Sequence, residues 1–331
     1  MALPAPFARR AGAACLAVAA LLATAGAAAA DNWRAYTYNA VATVTAVKGL
    51  NAMIEDVQKA TQGQLQIRLN LAARCRSRPP TSRRPSATTW CRWATTPSSW
   101  AACRWAASCG CRCSCPARRL REGLDVQSEY LRPEFAKRNI VLLGRYIFPE
   151  NVFWSKKKMT SLADIAGQKI RVVSPEQAEF IKLLGGIPVT LGTSEVAAGL
   201  DRGVIDGALT ASSGYGYVWR DLLKYSYRLN VSFVDSLIMV NKDAWDKLTP
   251  DTRAKVQALV NEHTAKMTAA MLAEDKDLTA KLAAGGMVVT EPSAADLAEA
   301  ERRITPYWKE WGEKRPAARE ALQKVRTAVG R

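Results

Sequence analysis

An arginine stands inside an apolar run at Lys169–Val173, between Ile170 and Val172. In an extended segment successive side chains alternate between faces, so Arg171 points away from both neighbours. A guanidinium held on a rigid strand can grip a carboxylate through two parallel N–H donors. The same residue can equally be an edge arginine that snorkels its charge to water, and spacing alone favours that plainer reading. Other residues with chemistry to offer are sparse. The single histidine, His263, has no nucleophile or carboxylate at a recognisable spacing. There is no glycine-rich phosphate cradle and no metal-ligand spacing. The run Cys109-Gly-Cys-Arg-Cys-Ser-Cys115 places cysteines at alternate positions, unlike the two-residue gaps of zinc knuckles. No metal, no cofactor and no enzyme activity is expected.

The segment that must position Arg171 runs from residue 167 to 210 and reads strand, helix, strand, helix, strand. Lys169–Val173 is short and β-branched. Ser174 can cap a helix with Pro175 at its first position and Glu176 in its first turn. Gly185–Gly186 ends that helix. Pro188–Leu191 is a second strand, Ser194 caps a short helix from Glu195 to Gly203, and Val204–Leu209 is a third strand. Strands joined by helices imply parallel pairing with right-handed crossovers.

The ordered set Gly167–Val172, Gly185–Val189, Ser194–Val196 and Gly203–Gly207 resembles the substrate-binding proteins of TRAP transporters, the DctP-like family. The resemblance implies an α/β, type II periplasmic-binding-protein-like fold. Two α/β lobes are joined by crossover strands and a long connecting helix. It implies a periplasmic receptor that clamps a small organic acid and delivers it to small and large TRAP membrane subunits. Arg171 takes the position of the family's carboxylate-binding arginine. The family's crossover strand lines the cleft, which makes Asn151, Phe153 and Trp154 candidate contacts; Phe153 and Trp154 read equally as core. Past the third strand, Thr210, Ser212 and Ser213 are candidate hydrogen-bond partners and Tyr215 a candidate wall. Tyr217 and Trp219 are further aromatics there. Open α/β sheets bind ligands at the carboxyl ends of their strands. The plain alternative for all of them is ordinary packing. A ligand-binding module feeding a sensor shares this fold, and an exported enzyme acting on organic acids is the rival from another class.

The chain of 331 residues is long enough for two domains. The expected boundaries are a signal peptide at 1–30, lobe 1 at 31–148 plus 237–275, and lobe 2 at 149–236 plus 276–331. The signal rests on Arg9 and Arg10 ahead of an apolar Ala/Leu run that ends in small residues. Cys15 precedes most of that run, so no lipid anchor is expected, and no later segment is apolar enough to span a bilayer. A periplasmic monomer, with no stable membrane insertion after cleavage, follows.

Residues 74–120 do not match the chain around them. Every cysteine except Cys15 lies there, with Trp90, Trp93, Trp100 and Trp105 and no helical or strand period. Residues 74–121 hold eleven arginines and no acid; without them and the signal, the net charge of +17 falls to +4. The bulk charge therefore gives no reason to expect a nucleic-acid partner. Seven cysteines are also an odd number for a disulfide knot. A frame displacement explains more. Pro80–Trp100, back-translated with GC-rich codons and re-read from the third base of Pro80, can read DITQAVGDNVVQVGDDAFFV within codon degeneracy; continuing through Pro116 it can read GSVPVGGILRLPMLLP. Acids, glycines and alternating apolar runs return, and the strings resemble the family's segment at this point. As it stands, the stretch is expected to be disordered or poorly packed.

Flanking it, Trp33–Tyr38 and Gln64–Leu71 read as strands around an amphipathic helix at Val44–Thr61. Ser128–Asn139 reads as a helix, Ile140–Tyr146 as a strand, and Phe148–Trp154 as the crossover. Val231–Asn241 returns as a strand. Asp243–Leu248 is a short helix, and a long helix runs from Pro250 to about Ala284, long enough to span both lobes. Met287–Thr290, a helix capped by Ser293, and Ala317–Val329 close the chain. His263, Trp308 and Trp311 read as packing residues.

Overall fold

A computed structural model of the chain describes residues 31–71, 89–90, 117–211, 213–229 and 233–328. The signal segment, Ser212 and most of 74–120 lie outside the described residues.

β1 (Asp31–Thr37) leads through α1 (Thr45–Ala60) to β2 (Leu65–Leu71), which pairs parallel to it from Asp31↔Leu65 to Thr37↔Leu71. β3 (Thr89–Trp90) adds in parallel on the other side of β1. α2 (Ala117–Ala136) begins inside the anomalous stretch, eleven residues before the predicted Ser128. β4 (Ile140–Ser155) is one strand of 16 residues where the sequence suggests two. Its first part pairs antiparallel with a later strand; its second part belongs to another sheet.

That sheet is built from β5 (Lys169–Val172), α3 (Pro175–Leu183), β6 (Ile187–Thr190), α4 (Val196–Asp201), β7 (Gly207–Ala211), α5 (Ser213–Val218) and β8 (Tyr225–Tyr227). Ser174 Oγ accepts from Gln177 N at 3.2 Å, as the capping pattern requires. Gly185 takes φ +83° at the end of α3. Two boundaries differ from expectation. Ser194 caps nothing; a short 3-10 turn at Thr193–Glu195 precedes α4, and Glu195 bends back to accept from Gly192 N at 2.8 Å. β7 starts at Gly207, not Val204, because Gly203 turns at φ +70° and Val204 remains exposed.

β9 (Phe233–Asn241) returns to pair with the first part of β4. α6 (Lys242–Lys247), α7 (Pro250–Ala284), β10 (Val288–Thr290), α8 (Ala294–Glu313) and α9 (Pro316–Ala328) complete the chain. α7 has 35 residues, about 50 Å of helix, with Thr249 as its cap.

The result is two α/β lobes. In the first, α1 and the N-terminal half of α7 cover β1, β2, β4 and β9 around Leu50, Met53, Val57, Tyr146, Ile238 and Val260. The second carries the sheet β10-β8-β4-β7-β5-β6, in which β5 lies parallel to both β6 and β7. One face packs Ile170, Val172, Phe180 and Leu209 against Ile304, Trp308 and Trp311 of α8. The other packs Trp154, Val196, Leu200 and Trp219 under Leu282 of α7. His263 Nε2 lies 2.9 Å from Asp56 Oδ2, tying α7 to α1. Among the described residues no helix is long and apolar enough to cross a membrane.

Trp154 sets a local packing constraint. A Cβ on Gly216 would lie 2.3–2.6 Å from three carbons of its indole ring, and Trp154 is itself fully enclosed. Gly216→Ala is expected to destabilise the protein by about 1–3 kcal/mol in urea unfolding despite the better helix propensity of alanine; an unchanged midpoint would show that the ring can shift.

Candidate functional site

β5 sends Ile170 and Val172 into the α8 side of the sheet, so Arg171 emerges on the opposite face. There it enters a cleft between the lobes. The cleft has about 370 Å³ of empty space counting its open mouth, and is lined by Tyr38, Phe148, Asn151, Arg171, Val173, Gln177, Thr193, Leu209, Thr210, Ala211 and Tyr215. Val173, Thr193, Thr210 and Ala211 lie at the carboxyl ends of β5, β6 and β7, where the open-sheet rule expects a ligand. Tyr38 and Phe148 come from the first lobe. Tyr215 donates its hydroxyl to Asn39 Oδ1 at 2.8 Å, a bond from the second lobe to the loop after β1. The lobes therefore touch across the cleft.

Arg171 is 2 % exposed. Its Nε donates to Leu191 O at 3.0 Å and its Nη2 to Thr193 Oγ1 at 3.1 Å. A guanidinium has five N–H donors. Those still open are both on Nη1 and one on Nη2, the pair of nitrogens that meets a carboxylate end-on. Among the described residues, Arg171 has no salt-bridge partner, and no other charged side chain lines the cleft. Burial depresses its pKa to about 10, so the group stays charged at neutral pH. Burial also pushes the Tyr215 hydroxyl up, so it is neutral, and with its proton given to Asn39 its oxygen can still accept. Gln177 spends its Oε1 on Val173 N at 2.8 Å, which leaves its amide Nε2 as a donor at the cleft.

Of the residues expected from sequence, Arg171, Asn151, Thr210 and Tyr215 are brought together here. Phe153 and Trp154 are not. β4 pleats, and Phe153 joins Phe180 and Tyr227 in one core while Trp154 joins the other. They follow the cleft-lining Asn151 closely in sequence, but both side chains are consumed in packing. Ser213 is turned away as well; its N–H donates to Asp275 Oδ1 at 2.5 Å and its hydroxyl meets Thr279 Oγ1 at 2.7 Å. Trp219 is core and Tyr217 is exposed. Ser212 is outside the described residues. Sequence reasoning missed Thr193, Gln177, Val173, Tyr38 and Phe148. The strand-end rule, applied to β5 and β6 as well as β7, would have found Val173 and Thr193. Among the described residues no cluster of His, Cys, Asp or Glu could hold a metal ion.

The model of the family described as DctP, bacterial extracellular solute-binding protein, family 7, matches residues 118–315. The chain is similar to the C4-dicarboxylate-binding periplasmic protein DctP of Rhodobacter capsulatus, 29% identical over 173 residues, which are 51% of this chain and 52% of that one. It is also similar to the uncharacterized protein YiiZ of Salmonella typhimurium, 33% identical over 117 residues, 33% of this chain and 34% of that one. The matched span is thus about half of one relative's length and a third of the other's. Among solved structures, DctP7 of Bordetella pertussis, an extracytoplasmic solute receptor binding pyroglutamic acid, superposes with a TM-score of 0.74 at 20% identity. That match covers 91% of this chain and 100% of that one, which establishes a common fold.

The unpaired guanidinium generates a prediction about stability. Two hydrogen bonds return about 1 kcal/mol each, while a buried charge lacking a carboxylate costs at least as much. Arg171→Met is expected to match or exceed the native protein in urea unfolding. A loss above about 2 kcal/mol would mark Arg171 as a structural residue.

Proposed function

This chain belongs to the bacterial extracellular solute-binding proteins of family 7, the DctP-like TRAP receptors, and on that premise we propose that it is a periplasmic receptor that captures a small organic acid through Arg171. The observation that carries the reading is the guanidinium itself. It is enclosed, charged, held by Leu191 O and Thr193 Oγ1, and lines a cleft with no counter-charge among the described lining residues. A ligand carboxylate would supply that charge. Asn151, Thr210, Gln177 and Tyr215 would hold its polar remainder, with Phe148, Val173 and Leu209 against its apolar face. Delivery to TRAP membrane subunits, after export by a signal at 1–30, completes the proposal.

The same charge count bears on the solute. One cation balances one carboxylate, and a second would enter the cleft unpaired. A monocarboxylate carrying neutral hydrogen-bonding groups suits this lining better than a dicarboxylate does. In a calorimetric panel of mono- and dicarboxylates, keto acids and sugar acids, the tightest ligand is expected to be a monoacid. Arg171→Ala should weaken it by on the order of 2–5 kcal/mol. Thr193→Val, which frees one guanidinium nitrogen, should cost about fivefold in affinity. Unchanged affinity in Arg171→Ala would defeat the assignment.

We further propose that residues 74–120 are translated out of frame. The family match begins at residue 118, where that stretch ends, which supports the reading. Resequencing codons 70–125 is expected to reveal a pair of compensating shifts; a single intact frame encoding the present residues refutes it.

A further inference from the structure

Among the described residues three chain segments pass between the lobes, and a guanidinium on one of them touches the other two. β4 leaves β9 at Glu150 and joins β7 at Asn151, with a register shift at Pro149, which has no N–H to pair. Arg228 is the first residue after β8, on the way back to β9. Asp275 stands in α7 between Met271, in the first lobe's core, and Leu282, in the second's. Arg228 Nη2 donates to Glu150 Oε1 and, at 2.8 Å, to Asp275 Oδ2. Its Nη1 donates to Thr279 Oγ1 at 3.0 Å. Asp275 Oδ1 in turn accepts from Ser213 N, at the start of α5. Glu291, before α8, approaches Nε at 3.7 Å from a largely exposed position.

The charges in this cluster do not balance. One cation faces two enclosed carboxylates, whose side chains are 18 % and 10 % exposed for Glu150 and Asp275. A proton on one acid would leave a neutral pair. Glu150 is the acid that takes it: burial pushes it up to about 7 against the pull of Arg228, with Asp275 and Glu291 raising it further. None of these residues lines the cleft.

We infer that Arg228, Glu150 and Asp275 form a proton-linked latch on the hinge, which holds the lobes in contact and so sets ligand affinity from outside the cleft. This concerns the lobes themselves and stands whichever solute the cleft takes. The sign follows from linkage. Opening that hydrates Glu150 returns it towards 4.5 and releases the proton. The contribution to the latched arrangement is therefore full below about 4.5 and is lost as pH rises through about 7.

Small-angle scattering and interlobe dye-pair FRET on the ligand-free full chain test this. Between pH 5.5 and 8 the open-to-closed ratio of the native protein is expected to rise, by up to about thirtyfold if Glu150 hydrates fully. Glu150→Gln, which cannot ionise, should remain closed at both pH values. Arg228→Met should favour the open form, and Arg228→Lys should restore part of the closed population. Circular dichroism confirms that each variant is folded. A native ratio that ignores pH overturns the inference, as does a pH response that persists undiminished in Glu150→Gln. Because no ligand is present, neither result depends on the carboxylate reading.

Discussion

A cation taken out of water with no salt-bridge partner among the described residues is the constraint from which the rest of this molecule follows. Arg171 could not sit at mid-strand in a sheet packed on both faces unless the opposite face opened into a cleft. The parallel β5, β6 and β7 bring three carboxyl ends to one place. Leu191 O and Thr193 Oγ1 then fix the guanidinium from behind, so its remaining donors are aimed before any ligand arrives. In the proposed receptor, preorganisation of this kind would remove part of the entropy cost of capture.

The second constraint is that two lobes must share one chain and meet across a cleft. β4 serves both sheets in succession, and α7 supplies both cores. Continuous elements like these transmit rotation but do not choose an angle. In the proposed latch the choice falls to groups at the crossings, where Arg228 gathers a strand residue, a helix residue and, through Asp275, the start of α5. Buried polar networks of this sort favour one arrangement over its neighbours because every alternative leaves charges unpaired.

Much of the fold was legible in the sequence because local rules decided it. Ser174-Pro175, Thr249-Pro250 and Ser293 mark helix starts where they stand, since a cap side chain bonds its own backbone and needs no distant partner. Gly185 and Gly203 mark turns for the same reason. The misplaced ends are those that distant contacts determine. β7 begins where Gly207 meets Ile170, and β4 runs on because β7 and β8 continue its pairing where β9 leaves off.

The site divides along the same line. The sequence by itself determined that an arginine lies on the face of β5 opposite Ile170 and Val172, because alternation is a property of the backbone, and the family resemblance offered it as the candidate anion-binding group. Only the tertiary structure decided that Asn151 lines the cleft while Phe153 and Trp154 are buried in two different cores. It also decided that Thr193 and Gln177 join Arg171, and that Arg228, unremarkable in sequence, meets Glu150 and Asp275. Those outcomes depend on which elements cross which, over separations of tens of residues, and no local pattern encodes them.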